Sequence, residues 1–167
     1  MSLSPMTRIL LLILLVFAVP SARSEHAASS SPRAFVPGSY QKILADHRGK
    51  PFILSFWSVS CTHCPAELRA LAELKRRFPR LELVVVATDS PEEGAEAARM
   101  AREYGLASVP QWIFASEMPE RLRFEIDRGW YGELPRTYFF DRNHKVEAVS
   151  GLVPEARLQR WAQEQLR

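Results

Sequence analysis

The 167 residues are enough for one domain and little more, and they carry 22 basic and 19 acidic side chains for a formal charge of +3. Two of the basic residues, Arg8 and Arg23, stand in an export-like N-terminal segment, and without them the balance is 20 against 19. With no basic stripe interleaved with aromatics, the composition excludes an electrostatic bias toward nucleic acid.

Arg8 is followed by eleven apolar residues, Ile9 to Val19, and then by Pro20-Ser21-Ala22-Arg23-Ser24. A charged start, an apolar middle and a small-residue exit describe a secretory signal over residues 1–24, cut before Glu25. The apolar run falls well short of the roughly 20 residues that span a bilayer, so no membrane span is expected in the mature form. That places the protein in the periplasm or outside the cell. An uncleaved N-terminal anchor facing the periplasm is the alternative. Residues 25–34, with Ser29-Ser30-Ser31, read as a flexible leader, and 35–167 as one folded domain.

Within that domain Ser39 is placed to cap a short helix, Tyr40 to His47, that stops at Gly49. Phe52 to Ser58 is a nearly continuous apolar strand, as expected where both faces are buried. A helix follows the cysteine turn to about Phe78, with Leu68, Leu71, Leu74 and Phe78 at helical spacing, and Pro79 ends it. Leu81 to Ala87 is a second central strand. Ser90-Pro91-Glu92-Glu93 has the cap, proline and acids of a helix start, and Gly105 closes that helix after Tyr104. Val109 to Phe114 reads as a short strand and Ser116 to Ile126 as a helix whose start Pro119 obscures. Thr137 to Phe140 and Lys145 to Val149 flank a turn and suggest a hairpin. A last helix, Pro154 to Arg167, carries Leu158, Trp161, Ala162 and Gln165 along one face. The alternation predicts an α/β fold with a mixed sheet flanked by helices on both faces.

The two cysteines are the only ones in the chain and form Cys61-Thr62-His63-Cys64 on a strand-to-helix turn. A structural staple is one reading, but so short a loop constrains the unfolded chain very little. A thiolate at a helix head is stabilised by unpaired N–H groups and the helix dipole, which suits thiol–disulfide exchange. Cys61 is then the attacking sulfur and Cys64 the shielded, resolving one. A zinc site wants four ligands, and His26, His47 and His144 form no spaced pair. Covalent haem wants histidine directly after the second cysteine, where Pro65 stands. Copper transfer through the pair and His63 is conceivable but finds no further soft ligands. The pair carries electrons itself, so neither a metal nor another cofactor is expected.

Around the pair, His63 reads either as a solvent-facing turn residue or as a positive charge that stabilises the Cys61 thiolate. Pro135 is either an ordinary strand-starting proline or a cis proline facing the sulfurs. Trp57 and Trp130 read first as core aromatics, and Ser55 as a small buried hydroxyl.

Phe56-Trp57-Ser58-Val59-Ser60-Cys61-Thr62-His63-Cys64-Pro65-Ala66-Glu67-Leu68 resembles the F-W-A-x-W-C-x-x-C-x-x-E segment of thioredoxin-like proteins of the TlpA/ResA group. Arg48-Gly49-Lys50-Pro51 is similar to their "RGKP" entry, and Gly132-Glu133-Leu134-Pro135-Arg136-Thr137-Tyr138-Phe139-Phe140-Asp141 to their "G-x-P-x-T-F-x-I-D" run. Gly129-Trp130-Tyr131-Gly132 is close to a segment of cytochrome-c-maturation thioredoxins. The resemblance implies a thioredoxin fold with an extra helix–strand unit before the cis proline, for which the 71 positions from Cys64 to Pro135 leave room. They look too few for the helical insertion of DsbA-type oxidases. It implies Cys61 and Cys64 as a redox-active disulfide, Pro135 as the cis proline, and Leu134 as a backbone contact for a bound peptide. Thr62, His63, Trp57 and Glu67 are the residues expected to modulate the pair.

The chain departs from the family in several places. Ser60 replaces a tryptophan that shields the site. Ser55 stands where cytoplasmic thioredoxins carry a buried aspartate. Glu67 follows the pattern, yet on a helix it reads more simply as a surface residue. Pro65 lacks an N–H and is expected to leave the Cys61 carbonyl without its helical partner. Thr62-His63 is not the dipeptide of the reducing members, and a histidine there is similar to oxidases and isomerases. The resemblance implies a monomeric reductase of extracytoplasmic disulfides, of the cytochrome c or copper-site maturation type. Its partners would be client proteins with cysteine pairs and a membrane thiol–disulfide electron donor. A disulfide-forming oxidase and a non-enzymatic copper chaperone are the alternatives.

Overall fold

A computed structural model describes residues 31–166. The export signal expected over 1–24, most of the leader and His26 lie outside the described residues. Among the described residues six strands form one sheet: β1 (Arg33–Phe35), β2 (Phe52–Trp57), β3 (Glu82–Ala87), β4 (Gln111–Phe114), β5 (Arg136–Phe140) and β6 (Val146–Ser150). Their order across the sheet is β1-β4-β3-β2-β5-β6. The first four are parallel to one another, β5 is antiparallel to β2, and β6 is antiparallel to β5.

Period-two geometry on a buried strand sorts side chains to two cores. Ile53 and Trp57 face a core with Leu83, Val85 and Phe139, covered by α2 (Cys64–Arg77), α3 (Gly94–Glu103) and α5 (Glu155–Gln165). Phe52, Leu54 and Phe56 face the other with Val84, Val86, Tyr138 and Phe140, covered by α1 (Ser39–Asp46) and α4 (Pro119–Ile126). Burying each large apolar side chain contributes roughly 1.5–3 kcal/mol, and every residue of β2 is buried. That strand is the mechanical centre from which the cysteine turn hangs.

The expected unit of helix and strand before the proline is α3 with β4, which inserts β4 between β3 and β1. Several boundaries differ from expectation. The leader was expected to run through 34, but Arg33 and Ala34 already pair with Trp112 and Ile113; a three-residue edge strand carries no periodic signal. Ser39 is the first helical residue of α1, and its Oγ accepts the Val36 N–H at 2.9 Å. The helix expected from Ser90 opens instead with a 3-10 turn, Pro91–Glu93. Ser116 accepts the Met118 N–H at 3.2 Å in a local turn, so α4 starts at Pro119, where a missing N–H costs nothing. Gly105 takes a φ of 85°, the left-handed turn expected after α3.

Candidate active site

The chain leaves β2 at its C-terminal end and turns through Ser58-Val59-Ser60 into the cysteines. Cys61 and Cys64 form a disulfide, with Cα atoms 5.4 Å apart. Cys64, not Cys61, opens α2, so Cys61 lies three residues ahead of the helix and not in its first turn. The helix nevertheless reaches it, because the Cys64 N–H donates to Cys61 Sγ at 3.1 Å. One of the orphan donors of the helix N-terminus is thus spent on the sulfur that would carry a thiolate. Cys61 is half-buried and Cys64 is 0 % exposed.

Pro65 sits in the first turn, where no N–H is required, and the first helical bonds run from Ala66 and Glu67 to the His63 carbonyl at 3.2 and 3.4 Å. Thr62 and His63 are exposed. Trp57 and Trp130 are both core aromatics, 2 % and 3 % exposed. Trp130 packs on Phe56 and donates its indole N–H to the Glu133 carbonyl at 3.0 Å.

Glu67 corrects the surface reading: it is 1 % exposed. Its position one turn after Cys64 lies on the same helical stripe as Leu71 and Leu74, so it faces the core. Oε1 accepts the Thr137 hydroxyl at 2.9 Å and Oε2 the Val153 N–H at 3.0 Å. Burial pushes its carboxyl above the usual range, against the pull of those two donors. Thr137 in turn meets Ser55 Oγ at 3.1 Å across the β2–β5 pair. Ser55 is therefore a buried hydroxyl, as expected, and the carboxylate near it arrives from α2.

The Leu134–Pro135 peptide is cis, as the resemblance implies. Phe56 pairs with Arg136, so the antiparallel register brings Pro135 to the level of Trp57, at the end of β2 where the cysteine turn begins. Leu134 packs against the same core as Val59 and Cys61. The segment after β6 closes this side, with the Gly151 N–H on the Pro135 carbonyl at 2.8 Å.

Two further supports were not foreseen. Asp89, just beyond β3, accepts the Ser58 hydroxyl at 2.7 Å and the Val59 N–H at 3.2 and 3.1 Å. Ser58 Oγ accepts the Ser60 N–H at 3.2 Å and stands 3.0 Å from Ser60 Oγ, so the position expected to hold a shielding tryptophan is an exposed serine tied to a polar network. In the sequence Asp89 stands directly before the Ser90 helix-start motif and carries no signal of its own. The second support is Arg136, which donates to Asp127 at 2.7 Å, to Tyr138 Oη at 3.1 Å and to Ser150 Oγ at 2.7 Å. The Gly129 N–H and the Arg136 guanidinium hold the Asp127 carboxyl below its usual range. Together they fix the Gly129–Gly132 loop, from which Tyr131 projects 85 % exposed.

Residues 38–149 match the AhpC/TSA family. Among characterised proteins the chain is similar to the thiol-disulfide oxidoreductase ResA of Geobacillus thermodenitrificans, 27 % identical over 106 residues, 64 % of this chain and 57 % of that one. It is similar also to protein FixW of Rhizobium leguminosarum, 27 % identical over 116 residues, 63 % of this chain and 50 % of FixW. The chain thus spans about half the length of these relatives. Among solved structures, a thioredoxin-family thiol:disulfide interchange protein from Chlorobium tepidum TLS has a TM-score of 0.60 at 20 % identity, covering 74 % of this chain and 85 % of its own. A secreted Mycobacterium tuberculosis disulfide oxidoreductase has a TM-score of 0.58 at 21 % identity, covering 72 % and 85 %. These likenesses show the thioredoxin fold.

Proposed function

The chain belongs to the AhpC/TSA family, and from that premise we propose that it is an exported thiol–disulfide oxidoreductase that reduces particular extracytoplasmic protein disulfides. The observation that carries this reading is the asymmetry of the pair: a half-buried Cys61 sulfur takes the Cys64 N–H, while a fully buried Cys64 stands one turn ahead of a buried carboxylate. Accessible and shielded sulfurs divide the work of exchange.

In the dithiol form the Cys61 thiolate attacks one sulfur of a client disulfide. A Cys61–client disulfide forms and the other client sulfur leaves as a thiolate. Glu67 takes the Cys64 proton, and the Cys64 sulfur attacks Cys61 Sγ, forming the intramolecular disulfide and releasing the second client sulfur. Two electrons pass from the cysteine pair to the client. A membrane dithiol partner then reverses the same steps and returns two electrons. Pro135 and the Leu134 backbone, at the level where the cysteine turn begins, line the client's approach. His63, exposed between the two cysteines, adds positive charge when protonated.

Clients of the cytochrome c or copper-site maturation type fit the resemblance of the Gly129–Gly132 segment. The test is the Cys61–Cys64 reduction potential, read by equilibrating the oxidised domain with glutathione buffers. A value at or below about −220 mV supports a reductase. A value near about −120 mV would turn the same scaffold into a disulfide-forming oxidase.

A further inference from the structure

The carboxyl of Glu67 ends a chain of hydroxyls whose direction can be worked out. Thr137 has one hydroxyl proton, and it goes to Glu67 Oε1 at 2.9 Å. The 3.1 Å contact between Ser55 and Thr137 must then have Ser55 as its donor, because Thr137 Oγ1 has only lone pairs left to offer. Oε2 is held by the Val153 N–H, a donor that cannot turn around. Each oxygen of the carboxylate therefore faces a proton, and Ser55 keeps the Thr137 rotor pointed at it.

We propose that Ser55 and Thr137 are positioning residues, a directed donor chain that keeps buried Glu67 in its proton-accepting form. The role rests on the reading of Glu67 as the group that takes the Cys64 proton. It also gives Ser55 a function at the very position where cytoplasmic thioredoxins carry the acid itself. With the acid supplied from α2, the strand supplies the hydroxyl that serves it.

The elements packed around Glu67 bring few other charges. Its own helix and the turn ahead of it contribute the Cys61–Cys64 pair, β2 contributes Ser55, β5 contributes Thr137, and the segment after β6 contributes a backbone N–H. Arg136 on β5 is engaged with Asp127 on the other face of the sheet. On α5, Arg157 pairs with Glu147 and Glu155 with Arg77, all at the surface. Burial is the leading cause of the raised Glu67 value, opposed by Val153 and Thr137, and among the described residues no charged side chain adds to it. Against that burial, the two donors are the groups that hold the carboxyl value down.

The experiment is a ¹³C-carboxyl NMR titration of the oxidised protein, in which neither cysteine titrates, with E67Q to assign the resonance. Thr137→Val deletes the donor at near-constant volume, and its Glu67 midpoint should rise by about one pH unit, a tenfold change in proton affinity. Ser55→Ala frees the Thr137 rotor and should raise it by a smaller amount. Thr137→Ser keeps the hydroxyl and should hold the wild-type midpoint. An unchanged or lowered midpoint in Thr137→Val overturns the proposal, and so does an unchanged or lowered one in Ser55→Ala, the gentler change for the fold. The readout needs no turnover. Raised midpoints in a protein without exchange activity would sink the oxidoreductase reading alone, while normal exchange with unmoved midpoints would sink the donor chain alone.

Discussion

Asp89 is the anchor of the turn that carries the attacking sulfur, and its removal has a computable cost. Its carboxylate receives a 2.7 Å hydrogen bond from buried Ser58 and a bifurcated one from the Val59 N–H. Hydrogen bonds to charged groups contribute about 1.5–3 kcal/mol each, and partial exposure puts these at the low end. In Asp89→Ala, Ser58 can redirect its proton to Ser60 Oγ, 3.0 Å away, which softens its loss to about 1 kcal/mol. The Val59 N–H has no such recourse, so the total is about 2–3 kcal/mol. Asp89→Asn keeps an acceptor at Oδ1, which already serves both donors, and loses only the charge, about 1 kcal/mol. Urea unfolding of the oxidised protein reads the order: wild type, then Asn, then Ala. The loss should be larger in the dithiol form, where the disulfide no longer helps to hold the turn. An extra 1 kcal/mol there would lower the reduction potential by about 20 mV. If Ala and Asn are indistinguishable, or Ala lies within about 0.5 kcal/mol of wild type, the turn is held by something other than Asp89.

Glu67→Gln should slow release of the mixed disulfide roughly 10²-fold in single-turnover quench-flow, leaving the first attack unaffected. Its stability has a defined sign. The folded-state carboxyl value is raised above 4.5, so the wild type loses stability as pH rises from there through the folded value, and the glutamine protein does not. The difference in urea stability should therefore move in favour of Glu67→Gln with rising pH; a flat difference would refute the burial argument. Asp127→Asn should cost about 1–2 kcal/mol at pH 7 by leaving Arg136 without its anion. Because the Asp127 value is depressed, that stability is present above about 3.8 and is lost as pH falls through the folded value. Melts at pH 3 should therefore narrow the gap to wild type.

The parts of the fold that could be read from the sequence are those where one physical signal dominates. β2 announced itself as an unbroken apolar run, α2 by its leucine spacing, and the cysteine turn by lying between them. The proline was placed by resemblance alone, since nothing in Leu134-Pro135 distinguishes cis from trans. β1 was missed because Arg-Ala-Phe on a sheet edge needs only one buried side chain, Phe35. Glu67 resists reading for a different reason: its residue type argues for the surface, while its position, on one helical face with Cys64, Leu71 and Leu74, argues for the core. Asp89 could not have been found, because its partners Ser58 and Val59 lie 31 and 30 residues away and meet it only once β2 and β3 are side by side.

The parallel direction of β1 and β2 orients the whole molecule. The sulfurs leave from the C-terminal end of β2, whereas the chain climbs into β1 from the opposite side, with Ser31 beside the Ala107–Gln111 segment that leads into β4. The end of the sheet that carries the sulfurs is therefore the end at which β1 does not begin, so a client that docks there does not meet the start of the described chain.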